Sequence, residues 1–116
     1  MKLNFKLDKR TKRKWVNALR SGKFKQGEQQ LRSIDEYNEQ TYCCLGVACA
    51  LGIAKPKTGW TGEYVKDDFL PVEIQLKLAA WNDGFEMSLN QDSEPVNSAR
   101  VKKTFRGIAT WIEKYL

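Results

Sequence analysis

Eight basic residues and no acidic one fall between Lys9 and Lys25: Lys9, Arg10, Lys12, Arg13, Lys14, Arg20, Lys23 and Lys25. A run of this kind suits contacts to phosphate, because each neutralised phosphate releases condensed counterions and binding then weakens steeply with salt. The net charge is +6, and the acids gather further on, at Glu28, Asp35, Glu36, Glu39, Glu63, Asp67, Asp68 and Glu73. That asymmetry favours an anionic partner docking near the N-terminal third. The plain alternative is a solvated face that keeps the protein soluble. Trp60 and Tyr64, beside Gly59 and Gly62, suit stacking on a base or clamping a ligand, or else folding back over the core as a cover. The surrounding glycines form no phosphate-loop motif.

The remaining reactive side chains carry less. Cys43, Cys44 and Cys49 lie inside an apolar stretch, an odd and tightly clustered set that makes a poor disulfide framework. The chain has no His and no second pair at metal-ligand spacing, so a zinc site is not expected and the three are read as buried structural thiols. A catalytic thiol usually needs a base, and the commonest base is missing. The acid pairs Asp67 with Asp68 and Glu36 with Glu39 suit metal ligation or acid–base work only if removed from water, and their polar surroundings favour solvated carboxylates. No cofactor, metal or catalytic residue is therefore expected.

These residues need a scaffold, and 116 residues with 41% hydrophobic side chains and four Trp suffice for one domain, spanning 1–116, with a core of its own. The charged fraction of 29% argues against wholesale disorder. The N-terminus has no apolar stretch of signal-peptide length, and the longest apolar run, Cys43 to Ala54, is broken by Gly46 and Gly52 and too short for a bilayer. The expectation is a cytoplasmic protein with no membrane contact. The oligomeric state is left open.

Several elements follow from pattern. Leu3, Phe5 and Leu7 alternate as a short strand or an apolar arm. Asp8 is a good N-cap, Trp15 and Leu19 share a face with Val16 and Ala18 beside them, and Gly22 is a natural stop, which predicts a helix over Lys9–Ser21 with a basic outer face. Residues 29–34 and 41–45 flank the polar segment 35–40 as a hairpin with a loop of about six residues. Cys44–Ile53 is apolar on every face and predicts a buried helix, with Gly46 allowing a close backbone approach and Gly52 ending it. Lys55–Asp68 reads as a loop. Val72, Ile74, Leu76 and Leu78 alternate like a strand, yet Asp68 as cap, Pro71 in the first turn and early Glu73 are helix-start signals, and helix is preferred. Asn82-Asp83-Gly84 reads as a turn, and Phe85, Met87 and Leu89 as a short strand. Trp81 and Trp111 read as core or edge packing. Val101, Phe105, Ile108, Ala109, Ile112 and Leu116 form one stripe of a helix that begins near Asn97 or restarts at Thr104.

Several blocks carry a resemblance. Trp15-x-x-Ala18-Leu19-Arg20-Ser21-Gly22-Lys23-Phe24-x-Gln26-Gly27 is followed by Tyr42-Cys43-Cys44-Leu45-Gly46-Val47, Leu70-Pro71, Asn82-Asp83, and Phe105-x-x-Ile108-Ala109-x-x-Ile112. This order resembles a group of small uncharacterised bacteriophage and prophage proteins sharing "W..ALRSG.Y.Q", "YCCLGV", "LP", "ND" and "F..IA..I" blocks. The resemblance implies a phage origin, residence in the host cytoplasm and a compact, largely helical fold, and it implies no activity. Gly84 to Lys103 is longer here than that group leads one to expect.

The fold expectation is α+β: a mostly helical compact single domain with four helices about the Cys44–Ile53 segment and a small β-hairpin or three-stranded sheet. The functional expectation is a non-catalytic phage accessory protein that binds an anionic host or defence-related ligand, nucleic acid or a nucleotide signal, through Lys9–Lys25. By analogy with small phage proteins, its role is host takeover or anti-defence. The alternatives are a protein–protein inhibitor of a host enzyme or immune effector, docking through Trp60 and Tyr64, and a nucleotide-processing enzyme using carboxylates.

Overall fold

The first helix, α1, spans Lys9–Ser21, and both of its ends are fixed locally. The Asp8 carboxylate accepts a hydrogen bond from Thr11 N at 3.1 Å, satisfying one of the free amides of the first turn. Gly22 closes the helix in the left-handed conformation (φ 80°), which costs a glycine little. The computed structural model describes residues 5–84 and 103–116. The expected strand at Phe85–Leu89, the helix start near Asn97 and the first residue of the Leu3–Leu7 alternation lie outside that range.

After α1 the chain passes beside a two-stranded antiparallel sheet, β1 (Arg32–Ile34) and β2 (Gln40–Tyr42), with Arg32 opposite Tyr42 and Ile34 opposite Gln40. The connecting loop is fixed by Asp35, whose Oδ1 accepts from Tyr37 N and Glu39 N, both at 2.9 Å. Residues 25–27 lie along the far edge of β2: Tyr42 N donates to Lys25 O at 2.9 Å, and Gly27 N to Tyr42 O at 2.7 Å. That contact is a single bridge, so the sheet has two strands among the described residues and not three.

The buried segment forms α2 (Cys44–Ala50), shorter than the expected Cys44–Ile53 because the chain turns at Leu51 and takes up a left-handed Gly52 (φ 79°). Cys44 to Cys49 are all buried. Gly46 sits against the Leu31 carbonyl, where any Cβ would overlap it, so the expected close backbone approach is present.

Helix α3 spans Val72–Asp83, which resolves the strand-or-helix ambiguity. Ile74 and Leu78, four apart, are buried, while Val72 and Leu76 remain 42% and 38% exposed. Asp68 does not cap the helix: the capping position is Pro71, with no side-chain cap bond. The expected turn at Asn82-Asp83-Gly84 is the end of α3, closed by a left-handed Gly84. Gln75 ties the preceding loop to α3, accepting from Val65 N at 2.9 Å and donating to Leu70 O at 2.9 Å.

The last helix, α4, spans Phe105–Tyr115 and starts at Thr104, whose Oγ1 accepts from Gly107 N at 3.3 Å. Its stripe, Phe105, Ile108, Ala109 and Ile112, is buried with Leu116. α1 packs along α4, and Leu7 N donates to Leu116 O at 2.7 Å. Among the described residues α2 is joined by three further helices, α1, α3 and α4. Their shared core includes Trp15, Leu31, Leu45, Leu70, Leu78 and Ile108. No helix among the described residues is long and apolar enough to cross a membrane.

Candidate anion-binding face

Burial of Trp15, Val16 and Leu19 sets which side chains of α1 face out. At 100° per residue, Arg10, Arg13, Lys14 and Asn17 fall opposite that stripe, and all four are exposed. Lys9 lies at one edge of them. Lys12 and Arg20 fall on the flank that meets α4.

The eight predicted cations therefore do not form one free surface. Arg20 is committed to Glu113, donating from Nη1 to Oε2 at 3.2 Å and from Nη2 to Oε1 at 3.0 Å. That bond holds the Glu113 carboxyl below its ordinary range and raises Arg20. Lys12 Nζ donates to Glu113 O at 3.3 Å. Lys25 is neutralised by Asp35 and by Glu39, the latter at 3.1 Å, and its hydrogen bond to Asp35 lowers that carboxyl. Arg20 and Lys25 thus belong to the chain's own ion pairs, because acids distant in sequence fold back onto them. Lys9, Arg10, Arg13, Lys14 and Lys23 are exposed, with no ion pair among the described residues. Lys23 lies beyond the helix end.

Two of the four remaining helical cations, Lys9 and Arg10, sit in the first turn of α1, where only the capping Asp8 answers the helix dipole. The first turn of α1 has no acidic residue, although the positive end of the helix dipole favours one. Lys9–Arg13 and Arg10–Lys14 are like-charge pairs four apart, and Arg10–Arg13 three apart. Local rules broken without a local gain are expected at functional or strained sites. Beside the face, a shallow groove of about 230 Å³ between α1 and α4 is walled by Lys9, Lys12, Arg13 and Glu113, with Val16 below.

Trp60 and Tyr64 are both partly buried against the core. Trp60 meets Tyr42 edge to face at 6.3 Å, and the Arg32 guanidinium lies 4.4 Å from its ring centroid. Burial raises the Tyr64 hydroxyl above its ordinary pKa. No ring contact joins the two among the described residues, so they do not form a single aromatic clamp.

All three cysteines are buried and free. Burial pushes Cys43 up to about 12 and Cys49 to about 11, and raises Cys44 well above its ordinary value, so none is a ready thiolate. Asp67 pairs with Lys57 at 3.6 Å, and Glu39 with Lys25. Among the described residues, no group of three or more Cys, Asp or Glu side chains is placed to hold a metal ion. Trp81 and Trp111 pack edge to face at 5.2 Å.

Sequence reasoning missed the polar centre of the molecule. Asn82, fully buried, accepts from Gln26 Nε2 at 3.1 Å and from Cys44 N at 3.2 Å, and donates to Gly27 O at 2.8 Å. Gln26 also donates to Lys103 O at 2.9 Å and accepts from Phe105 N at 3.0 Å. Two amide side chains thus join the start of α2, the end of α3 and the start of α4. Gln26, Cys44, Asn82 and Phe105 each belong to one of the sequence blocks noted above, which was the available signal. Paired amides are a scaffold and not a reactive site.

The described residues define a small α+β domain that presents an unpaired basic helix face. By sequence, the chain belongs to the family named "Domain of unknown function (DUF8296)", whose profile matches residues 7–82, from the lead-in to α1 as far as Asn82. No curated protein and no solved structure matches the chain.

Proposed function

We propose that the protein is a non-catalytic accessory protein that binds an anionic ligand, and specifically a nucleic-acid backbone, through Lys9, Arg10, Arg13 and Lys14. The observation that carries this reading is the set of exposed cations without acidic partners on the first two turns of α1, of which Lys9 and Arg10 stand against the helix dipole. An extended polyanion fits better than a small nucleotide signal, because the cations lie on an open helix surface and small-molecule sites are concave. In the bacteriophage setting that the block resemblance implies, such a surface suits a protein acting on host or defence nucleic acid in the host cytoplasm.

The test is fluorescence anisotropy with labelled double- and single-stranded 20-mers across a salt series, beside a panel of linear and cyclic nucleotides. Sequence-independent binding with a steep salt slope is expected. Absence of binding at low salt, or tight salt-insensitive binding of one nucleotide, overturns the reading.

A further inference from the structure

The edge of β1 carries an inference that does not depend on α1. In an antiparallel pair, backbone groups alternate between the partner strand and the outside. Asp35 N donates inward to Glu39 O at 2.9 Å, and Arg32 N donates outward to Trp60 O at 3.1 Å. Ile34, between them in this alternation, therefore turns its N–H outward, and no partner meets it among the described residues. The segment that covers the edge at its start, where Leu31 N also donates to Gly62 O at 2.8 Å, leaves the strand before Ile34. A cleft of about 330 Å³ opens along the uncovered part, lined by Arg32, Ile34, Gln40, Trp60 and Thr61.

The cleft has the chemistry of a recognition site. Ile34 is 62% exposed on a strand tied down by the Asp35 loop. Arg32 lies over the Trp60 ring, 4.4 Å from its centroid, and has no carboxylate partner among the described residues. A guanidinium resting on an aromatic face keeps its fork of donors for a carboxylate, and Arg and Trp are both enriched at binding hot spots. We propose that this cleft binds an extended acidic peptide segment of a partner protein as an added β-strand. A peptide carbonyl accepts from Ile34 N–H, a peptide N–H donates to Ile34 C=O, an apolar side chain covers Ile34, and a carboxylate pairs with Arg32. The unpaired cation is what selects an acidic strand over a basic one.

The test titrates the ¹⁵N-labelled full chain with the acetylated, amidated hexapeptide Thr-Glu-Thr-Val-Thr-Glu, which sets valine and glutamate two apart on one face, as Ile34 and Arg32 are on β1. Expected are a saturable shift of the Ile34 amide resonance and slowed exchange of its proton. The same peptide with lysine in place of both glutamates, and the glutamate peptide N-methylated at its valine, should each bind at least about tenfold more weakly. Arg32→Gln should lower affinity for the acidic peptide by about tenfold, with the rest of the spectrum unchanged. Equal binding of acidic and basic peptides, or an unmoved Ile34 amide at millimolar peptide, overturns the proposal. So does a single-stranded oligonucleotide that shifts Ile34 where the peptide does not. None of these results bears on the α1 face, which is read by the salt series.

Discussion

Replacing Lys9, Arg10, Arg13 and Lys14 together by Gln should weaken binding and strengthen the fold. Gln matches Lys and Arg in helix propensity, so the change acts through charge. Each lost phosphate contact removes about 0.9 from the slope of log affinity against log salt, so a duplex ligand touched by all four loses up to about 3.6. In the same variant, Lys9 and Arg10 no longer oppose the dipole, at about 0.5 kcal/mol each. Four like-charge neighbours, Lys9–Lys12 among them, vanish at about 0.3 kcal/mol each, for a total gain of about 2 kcal/mol at low salt. In a chain of this length that corresponds to a rise in melting temperature of about 8 °C, fading in molar salt as screening sets in. Anisotropy read against salt and thermal unfolding by circular dichroism measure the two halves. An unchanged slope refutes the binding face. A variant less stable than the parent at low salt refutes the claim that these cations are held against local preference.

Other consequences follow from the interior. Asn82→Leu leaves Cys44 N, Gly27 O and one Nε2 hydrogen of Gln26 without partners and should cost about 3 kcal/mol or more in urea unfolding; a loss under about 1 kcal/mol would show that water replaces the amide. Gly46→Ala forces a methyl group into the Leu31 carbonyl and should destabilise by about 3 kcal/mol, read as a lower urea midpoint with an unchanged slope. Burial raises Cys43 to about 12 from 9.0, so the unfolded chain loses this proton first. Stability from this thiol is full below pH 9 and falls as pH rises towards 12. The urea midpoint should therefore drop between pH 8 and 10.5, and less so in Cys43→Ala. A thiol reagent should react slowly with the native chain and with all three cysteines after unfolding.

The legible part of this chain was the part whose causes are local. Asp8, the Trp15–Leu19 stripe and Gly22 mark α1 within a few residues of one another, and the bounds read from them are those observed. The Thr104 cap, the α4 stripe, the hairpin and the glycine at the crossing of α2 with residue 31 were readable for the same reason. The candidate face was legible as a count of charges and not as a surface. Nothing near Arg20 or Lys25 announces that Glu113, or Asp35 and Glu39, will neutralise them.

By itself the sequence determined where helices start and stop and which stripes are apolar, because caps, turns and periodicity act over a few residues. Only the tertiary structure decided that Val72–Asp83 is a helix, since neighbours on several sides bury Gln75 and Lys77 along with Ile74 and Leu78 and blur its pattern. It alone brought Gln26 to Asn82 across 56 positions and separated paired cations from free ones. Hydrogen bonds and ion pairs act over a few ångströms in space, and the fold sets which distant residues come that close.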